Sequence, residues 1–219
     1  MGRGGFYQLT YNIAKMEKPI ITGLLISAGH SGRMGAFKPL LPYNQNPYVL
    51  VITQKLLSVC DRVVVVTGFN HKEVEATIKF AFYDGNFFPR VDLVYNPDYE
   101  KGMFTSLQAG LKTIGNSDWV LYHFVDQPFH DKKFYKELIS KVNSDCDWIQ
   151  PVYKEKEGHP VLFRSSITAL VNSSPQNSIL RTIRDLPSVK KYYWNCNYPN
   201  ILKDYDTPED VANDRQLIT

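Results

Sequence analysis

"GLLISAGHSGRMGAFKPLLP", Gly23 to Pro42, opens as an apolar run and breaks into a loop with three glycines, an arginine and a lysine. The run begins at Ile20 and reads as a strand ending at Ser27, buried on both faces because it lacks strict alternation. Such a strand places Ala28–Gly35 at the carboxyl edge of a sheet. Gly29, Gly32 and Gly35 let the backbone turn tightly and bring N–H groups close to a ligand, and successive N–H groups form an anion nest. Arg33 offers a planar fork to phosphate oxygens and Lys38 a compact charge. Ala36 and Phe37 separate Gly35 from Lys38, so neither G-x-x-x-x-G-K-[ST] nor G-x-G-x-x-G is present. The residue types leave two readings open: a polyphosphate cradle, or a surface loop with two solvated cations.

Outward from this stretch the pattern repeats. Arg62–Thr67 (RVVVVT), Val91–Tyr95 and Trp119–Val125 are further buried parallel strands. Helical spacing of apolar residues marks Tyr48–Cys60, Lys72–Phe82 and Met103–Ile114 between them. This alternation predicts an α/β fold with a doubly wound, mostly parallel sheet and helices on both faces, its ligand chemistry at the carboxyl ends of the strands. The second half is less regular. Asp131–Val142 predicts a helix, and Trp148–Tyr153 and Pro160–Phe163 predict strands flanking the turn KEKEGH. NSILRTIRD predicts a helix capped by Asn177 or Ser178, and KKYYWNC a strand. DTPEDVANDRQL predicts a final helix with Thr207 as N-cap and Pro208 at its first position.

The chain has 219 residues, 43% of them hydrophobic, which predicts one domain over 1–219 with residues 1–18 as an N-terminal extension. A formal net charge of +3, with no basic block, argues against a nucleic-acid partner. No run approaches the length of a membrane-spanning helix, and the first residues lack the apolar core of a signal peptide. Cys60, Cys146 and Cys196 are scattered, odd in number and outside any C-x-x-C pair, and read as reduced, mostly buried thiols of a cytoplasmic protein.

With these elements in view, "SAGHSGRMGAFKPLLP" resembles the A-A-G-x-S-x-R-M-G-x-x-K-x-L-L-P element of the MobA-like nucleotidyltransferases, nearest to the molybdenum cofactor cytidylyltransferases. Ser27 replaces the more usual alanine. The resemblance implies a Rossmann-like, GT-A-like nucleotidyltransferase fold. It also implies that Ala28, Gly29, His30, Ser31 and Gly32 wrap a triphosphate, His30 through its backbone, while Arg33 and Lys38 neutralise charge around the α-phosphate. "NPDYEKGMFTSLQAGL" (Asn96–Leu111) resembles the family's N-x-x-y-x-x-G-M-x-x-S element and implies that Asn96, Gly102 and Ser106 lie beside the nucleotide. Base preference then falls to contacts around Thr67–Asn70 and Asn96.

"HFVDQPF" resembles the family's G-D-x-P segment, with Val125 where glycine is common, and implies that Asp126 binds a metal ion. A lone carboxylate after an apolar strand is costly to bury, so a counter-cation is expected. "LKDYDTPED" resembles D-I-D-T-P-E-D and implies that Asp206 joins Asp126 on Mg²⁺, or Mn²⁺ in its place. "EGHPVLF" resembles the segment lying over the cleft on the acceptor side, where Gly158 and His159 fall. On residue type alone, Ser106 reads equally as a helix-start serine, Asp126 as a turn former before Pro128, Asp206 as a helix cap and His159 as a structural hydrogen-bonder.

The implied reaction is transfer of CMP from CTP to the phosphate of molybdenum-molybdopterin, with release of pyrophosphate. A recipient molybdoenzyme or its chaperone is the implied further partner. Two other readings stay open: transfer from another nucleotide or to another phosphorylated acceptor, such as a sugar phosphate or phospho-alcohol, and a nucleotide-binding regulatory protein without turnover.

Overall fold

The computed structural model describes residues 18–82, 88–142, 145–207 and 209–210. The expected N-terminal extension, except Lys18, falls outside them, as do Pro208 and the final helix past Asp210. In chain order the elements are β1 (Ile21–Ser27), β2 (Pro42–Tyr43), β3 (Asn46–Pro47), α1 (Tyr48–Leu57), β4 (Arg62–Thr67), α2 (His71–Phe82), β5 (Val91–Tyr95) and α3 (Met103–Leu111). They continue as β6 (Trp119–Phe124), α4 (Lys132–Ile139), β7 (Trp148–Tyr153), β8 (Lys156–Glu157), β9 (Val161–Arg164), α5 (Ile167–Ser173), α6 (Leu180–Arg184) and β10 (Lys191–Asn195).

Strand β1 is buried along its whole length, and its alternate residues feed two cores. Ile21 and Leu25 pack with α1, α2 and α4 on one face, while Leu24 and Ile26 pack with α3, α5 and α6 on the other. Each fully buried Leu or Ile contributes about 1.5–3 kcal/mol over leaving it exposed, so a two-faced strand with no polar face makes the sheet the centre of the molecule. Gly110 lets α3 approach closely: a Cβ there would stand 2.7 Å from Val66 Cγ2 and collide with Leu24.

The sheet runs β10-β7-β9-β6-β1-β4-β5, with β8 on β7. The β6–β1–β4–β5 part is parallel, β9 is antiparallel to both β6 and β7, and β10 is parallel to β7. Chain order reverses across β1, since β4 lies on one side and β6 on the other. The register pairs Ser27 with Thr67 and Ile26 with Phe124, so the carboxyl ends of β1, β4 and β6 share one rim. That reversal opens a crevice between β1 and β6, where ligands bind in sheets of this kind.

The doubly wound, mostly parallel sheet matches the expectation, with local corrections. Strand β6 stops at Phe124, and α1, α3 and α4 each end about a turn early because their last carbonyls are closed by short-range bonds, as from Ser58 N to Gln54 and Lys55. NSILRTIRD holds only the five-residue α6. Its N-cap is the extended Ile179 rather than Asn177 or Ser178, because Ser178 N donates to Pro175 O in a preceding turn. Helix α5 and the β2–β3 hairpin are additional elements. The hairpin turns on Asn44 and Gln45, both at positive φ, a geometry usually signalled by Asn-Gly. Cys60 and Cys146 are buried free thiols, and Cys196 is half-buried.

Candidate active site

Loop 28–41 leaves β1 at the crevice and folds into two short 3-10 turns, Gly32–Met34 and Lys38–Leu40. Ser31 adopts a left-handed conformation (φ 58°), and its Oγ accepts from Lys38 N at 3.0 Å, closing the loop on itself. A small third core of Met34, Tyr43, Tyr48, Phe129 and Tyr205 lies behind it. That core joins three distant segments: the β1 loop, the chain after β6, and the chain around residue 205. Tyr205 N donates to Asp126 O at 3.2 Å.

This packing brings three charges together. Lys38, only 8% exposed, places its Nζ 2.6 Å from Asp206 Oδ1 and 3.5 Å from Asp126 Oδ2. Burial pushes the Asp126 carboxyl above its ordinary value. The Lys38 ammonium opposes that rise, and the carboxylates of Asp204 and Asp206 add to it. The helix-cap reading of the 206–210 segment is also met, but by other groups. Asp210 Oδ2 accepts from the backbone N–H groups of Asp206 and Thr207 at 2.9 and 2.7 Å, and Thr207 Oγ1 accepts from Asp210 N at 3.3 Å. This reciprocal cap leaves the Asp206 carboxylate directed at Lys38.

A cleft of about 210 Å³ adjoins the cluster, lined by Ala28, Gly29, Ser31, Lys38, Ser106 and Asp126, with Tyr99, Met103 and Phe124 among its walls. Ser106 stands on α3 and is held by Asn96, whose Nδ2 donates to Ser106 Oγ and Thr105 Oγ1, both at 2.9 Å. Asn96 Oδ1 accepts from Asp98 N, so this buried amide acts on the cleft through Ser106. Gly102, at φ 120°, swings the chain into α3. Gly32 and Arg33 lie in the first 3-10 turn by backbone, and the Arg33 side chain falls outside what the structure describes. His30 makes tilted ring contacts with Phe69 and Tyr99, with Nε2 3.6 Å from Glu100 Oε1. Thr67 is buried with its hydroxyl donated to Glu75 Oε1 at 3.1 Å.

Two further clefts flank this one. One, of about 390 Å³, is formed by Gly68, Phe69, Asn70, His71 and Tyr95 and meets the first at Tyr99. His71 and Tyr95 pack ring on ring in a tilted pair, with centroids 4.1 Å apart. The other, of about 360 Å³, shares Met103 and Phe124 with the first and runs under His159, Trp148, Arg181 and Arg184. His159 packs on Phe124, and its Nδ1 is buried without a hydrogen-bond partner among the described residues. Burial, with Arg181 and Arg184 nearby, lowers its pKa to about 4, so the imidazole is neutral at neutral pH. Gly158 is wedged against Ile201. Arg184 is engaged by Glu157 and Asp185, whereas Arg181 forms no ion pair among the described residues. Arg181 and Arg184 lie in a stretch that reads only as helix, with no motif to mark them.

The donor set suits an oxygen-loving divalent cation. Two carboxylates that share the Lys38 ammonium have a third nearby, and Mg²⁺ is commonly held by one or two carboxylates plus substrate phosphates. Among the described residues no group of three or more His, Cys, Asp or Glu side chains could hold a metal alone. No helix among them is long and apolar enough to cross a membrane.

Comparison with known proteins agrees with this geometry. The chain is 25% identical over 196 residues to the molybdenum cofactor cytidylyltransferase of Escherichia coli K12, covering 90% of this chain and 96% of that one. A nucleotidyl transferase from Methanothermobacter thermautotrophicus, Mth528, shares the fold at TM-score 0.71 and 19% identity, over 90% of this chain and 96% of that one. Rv0371c of Mycobacterium tuberculosis H37Rv, solved in complex with manganese, does so at TM-score 0.67 and 19% identity, over 91% and 99%. The MobA-like NTP transferase domain model matches residues 23–191. With most of its length under that model and its charged cluster at the switch point of the sheet, the chain belongs to the MobA-like NTP transferase family and is a nucleotidyltransferase.

Proposed function

We propose that the chain transfers CMP from CTP to the phosphate of molybdenum-molybdopterin. An acceptor phosphate oxygen attacks the α-phosphorus, the bond from that phosphorus to the bridging oxygen breaks, and pyrophosphate leaves with the electron pair. The observation that carries the reading is the convergence of Lys38 with Asp126 and Asp206 beside a cleft walled by Ala28, Gly29 and Ser31.

Both reactants are anions, and two unit charges roughly 4 Å apart repel by about 4 kcal/mol at an effective dielectric near 20. In this reading Ala28–Gly32 cradle the triphosphate through backbone N–H groups, and Lys38 and Arg33 offset its charge. Ser106 and Gly102 border it, and Asn96 fixes Ser106. Mg²⁺, or Mn²⁺, held by Asp126 and Asp206 supplies charge neutralisation at the phosphates. The attacking phosphate is already ionised, so the residues position and stabilise rather than remove a proton. The slot at Gly68–Asn70, with the His71–Tyr95 pair, suits the base, and the cleft beneath Gly158 and His159 suits the acceptor. The proposal extends to a cytoplasmic setting and to a recipient molybdoenzyme or its chaperone as taker of the product.

Pyrophosphate release with each of the four NTPs, with and without molybdenum cofactor, tests this. CTP plus cofactor is expected to give the highest rate, and release with CTP no faster than with the other nucleotides overturns the assignment. Arg181→Glu places like charge beside an anionic acceptor. It is expected to raise the acceptor KM about tenfold, read from initial rates at saturating CTP, with the CTP KM, read at saturating acceptor, unchanged.

A further inference from the structure

Lys38 is built into a fixed piece of backbone. Its N–H donates to Ser31 Oγ at 3.0 Å, its carbonyl accepts from Leu41 N at 3.1 Å, and Pro39 follows it in the 3-10 turn. The backbone is thus held on both sides of the residue, and the side chain borders two places. In one, Nζ lies between Asp126 and Asp206. The other is the cleft of Ala28, Gly29 and Ser31, whose wall Lys38 also forms.

We infer that Lys38 is a displaceable internal cation, occupying the metal's place between Asp126 and Asp206 until a triphosphate in the cleft draws its ammonium away. This rests on the nucleotidyl-transfer reading. Placed between the two carboxylates, with Asp204 near, the ammonium offsets their mutual repulsion. A dication and an ammonium repel each other and do not share that position, so metal entry requires Nζ to leave. In a cleft without triphosphate the departing ammonium gains no anionic partner, and with triphosphate it gains one. Metal and nucleotide are therefore coupled through one side chain, and the coupling is reciprocal. The arrangement also stitches the 203–207 segment to the sheet edge before any metal arrives, since Lys38 and Asp206 lie 168 positions apart.

The test is Mn²⁺ binding by electron paramagnetic resonance, without nucleotide, to wild type, Lys38→Met and Lys38→Gln. Both variants are expected to bind Mn²⁺ at least about tenfold more tightly than wild type. Adding Asp206→Asn to either is expected to abolish the gain. Affinity equal to or weaker than wild type in the folded variants, or a gain that survives Asp206→Asn, overturns the inference. CTP binding to wild type with Mn²⁺ is measured separately. Its absence overturns the nucleotidyl-transfer reading, whereas CTP binding alongside unchanged Mn²⁺ affinity in the variants overturns displacement alone.

Discussion

Asp126→Ala and Lys38→Ala are each expected to lower turnover by at least about 10²-fold, the common cost of losing one preorganised electrostatic contact. Asp126 follows β6 at the switch point of the sheet, and Lys38 reaches it from the loop after β1. Asp206, from a different segment, is the other carboxylate that contacts Lys38. Pyrophosphate release under saturating nucleotide measures the loss. Thermal melts establish that the variants are folded, with Asp126→Asn as the isosteric companion. Near-wild-type turnover in both folded alanine variants would remove the basis for placing the chemistry at this cluster.

The second large effect is expected at Gly158. A Cβ on Gly158 would lie 2.5 Å from the Ile201 carbonyl oxygen and 2.6 Å from Ile201 Cβ. That carbonyl already accepts from His159 N at 2.9 Å. Gly158→Ala therefore has no flexible side-chain tip to push aside, and it displaces the backbone that leads to Tyr205 and Asp206. Overpacking of this kind costs about 1–3 kcal/mol, and each kcal/mol lowers Tm by about 2–4 °C in a chain of this size. Denaturant melts are expected to show that loss. Turnover below the melting range is expected to fall as well, because Asp206 is carried by the displaced segment. A variant that melts like wild type would contradict the close packing of residues 158 and 201.

The parallel half of the fold was legible because its physics is local. RVVVVT has no polar face to expose, so β4 must be covered on both sides, and the same holds for β1. Glycine after such a strand marks where the chain turns at the rim of the sheet. The second half was less legible because its elements are short. Helix α6 has five residues and no capping side chain, and the β2–β3 turn uses Asn-Gln, whose left-handed conformation is enforced by the hairpin rather than advertised by glycine. Asn96 shows the same limit within the site. Its motif was readable, but only the structure shows its amide bonded to Ser106, Thr105 and Asp98.

By itself the sequence determined which strands are buried on both faces, the glycine-rich loop at the end of β1, and which lysine and which aspartates were candidates for one site. Only the tertiary structure decided that they meet. Lys38 lies 88 residues from Asp126 and 168 from Asp206, and a third core of Met34, Tyr43, Tyr48, Phe129 and Tyr205 draws their segments together. Residue type sets which charges a chain carries. Their mutual distance depends on the packing of apolar side chains remote in sequence, which no local pattern encodes.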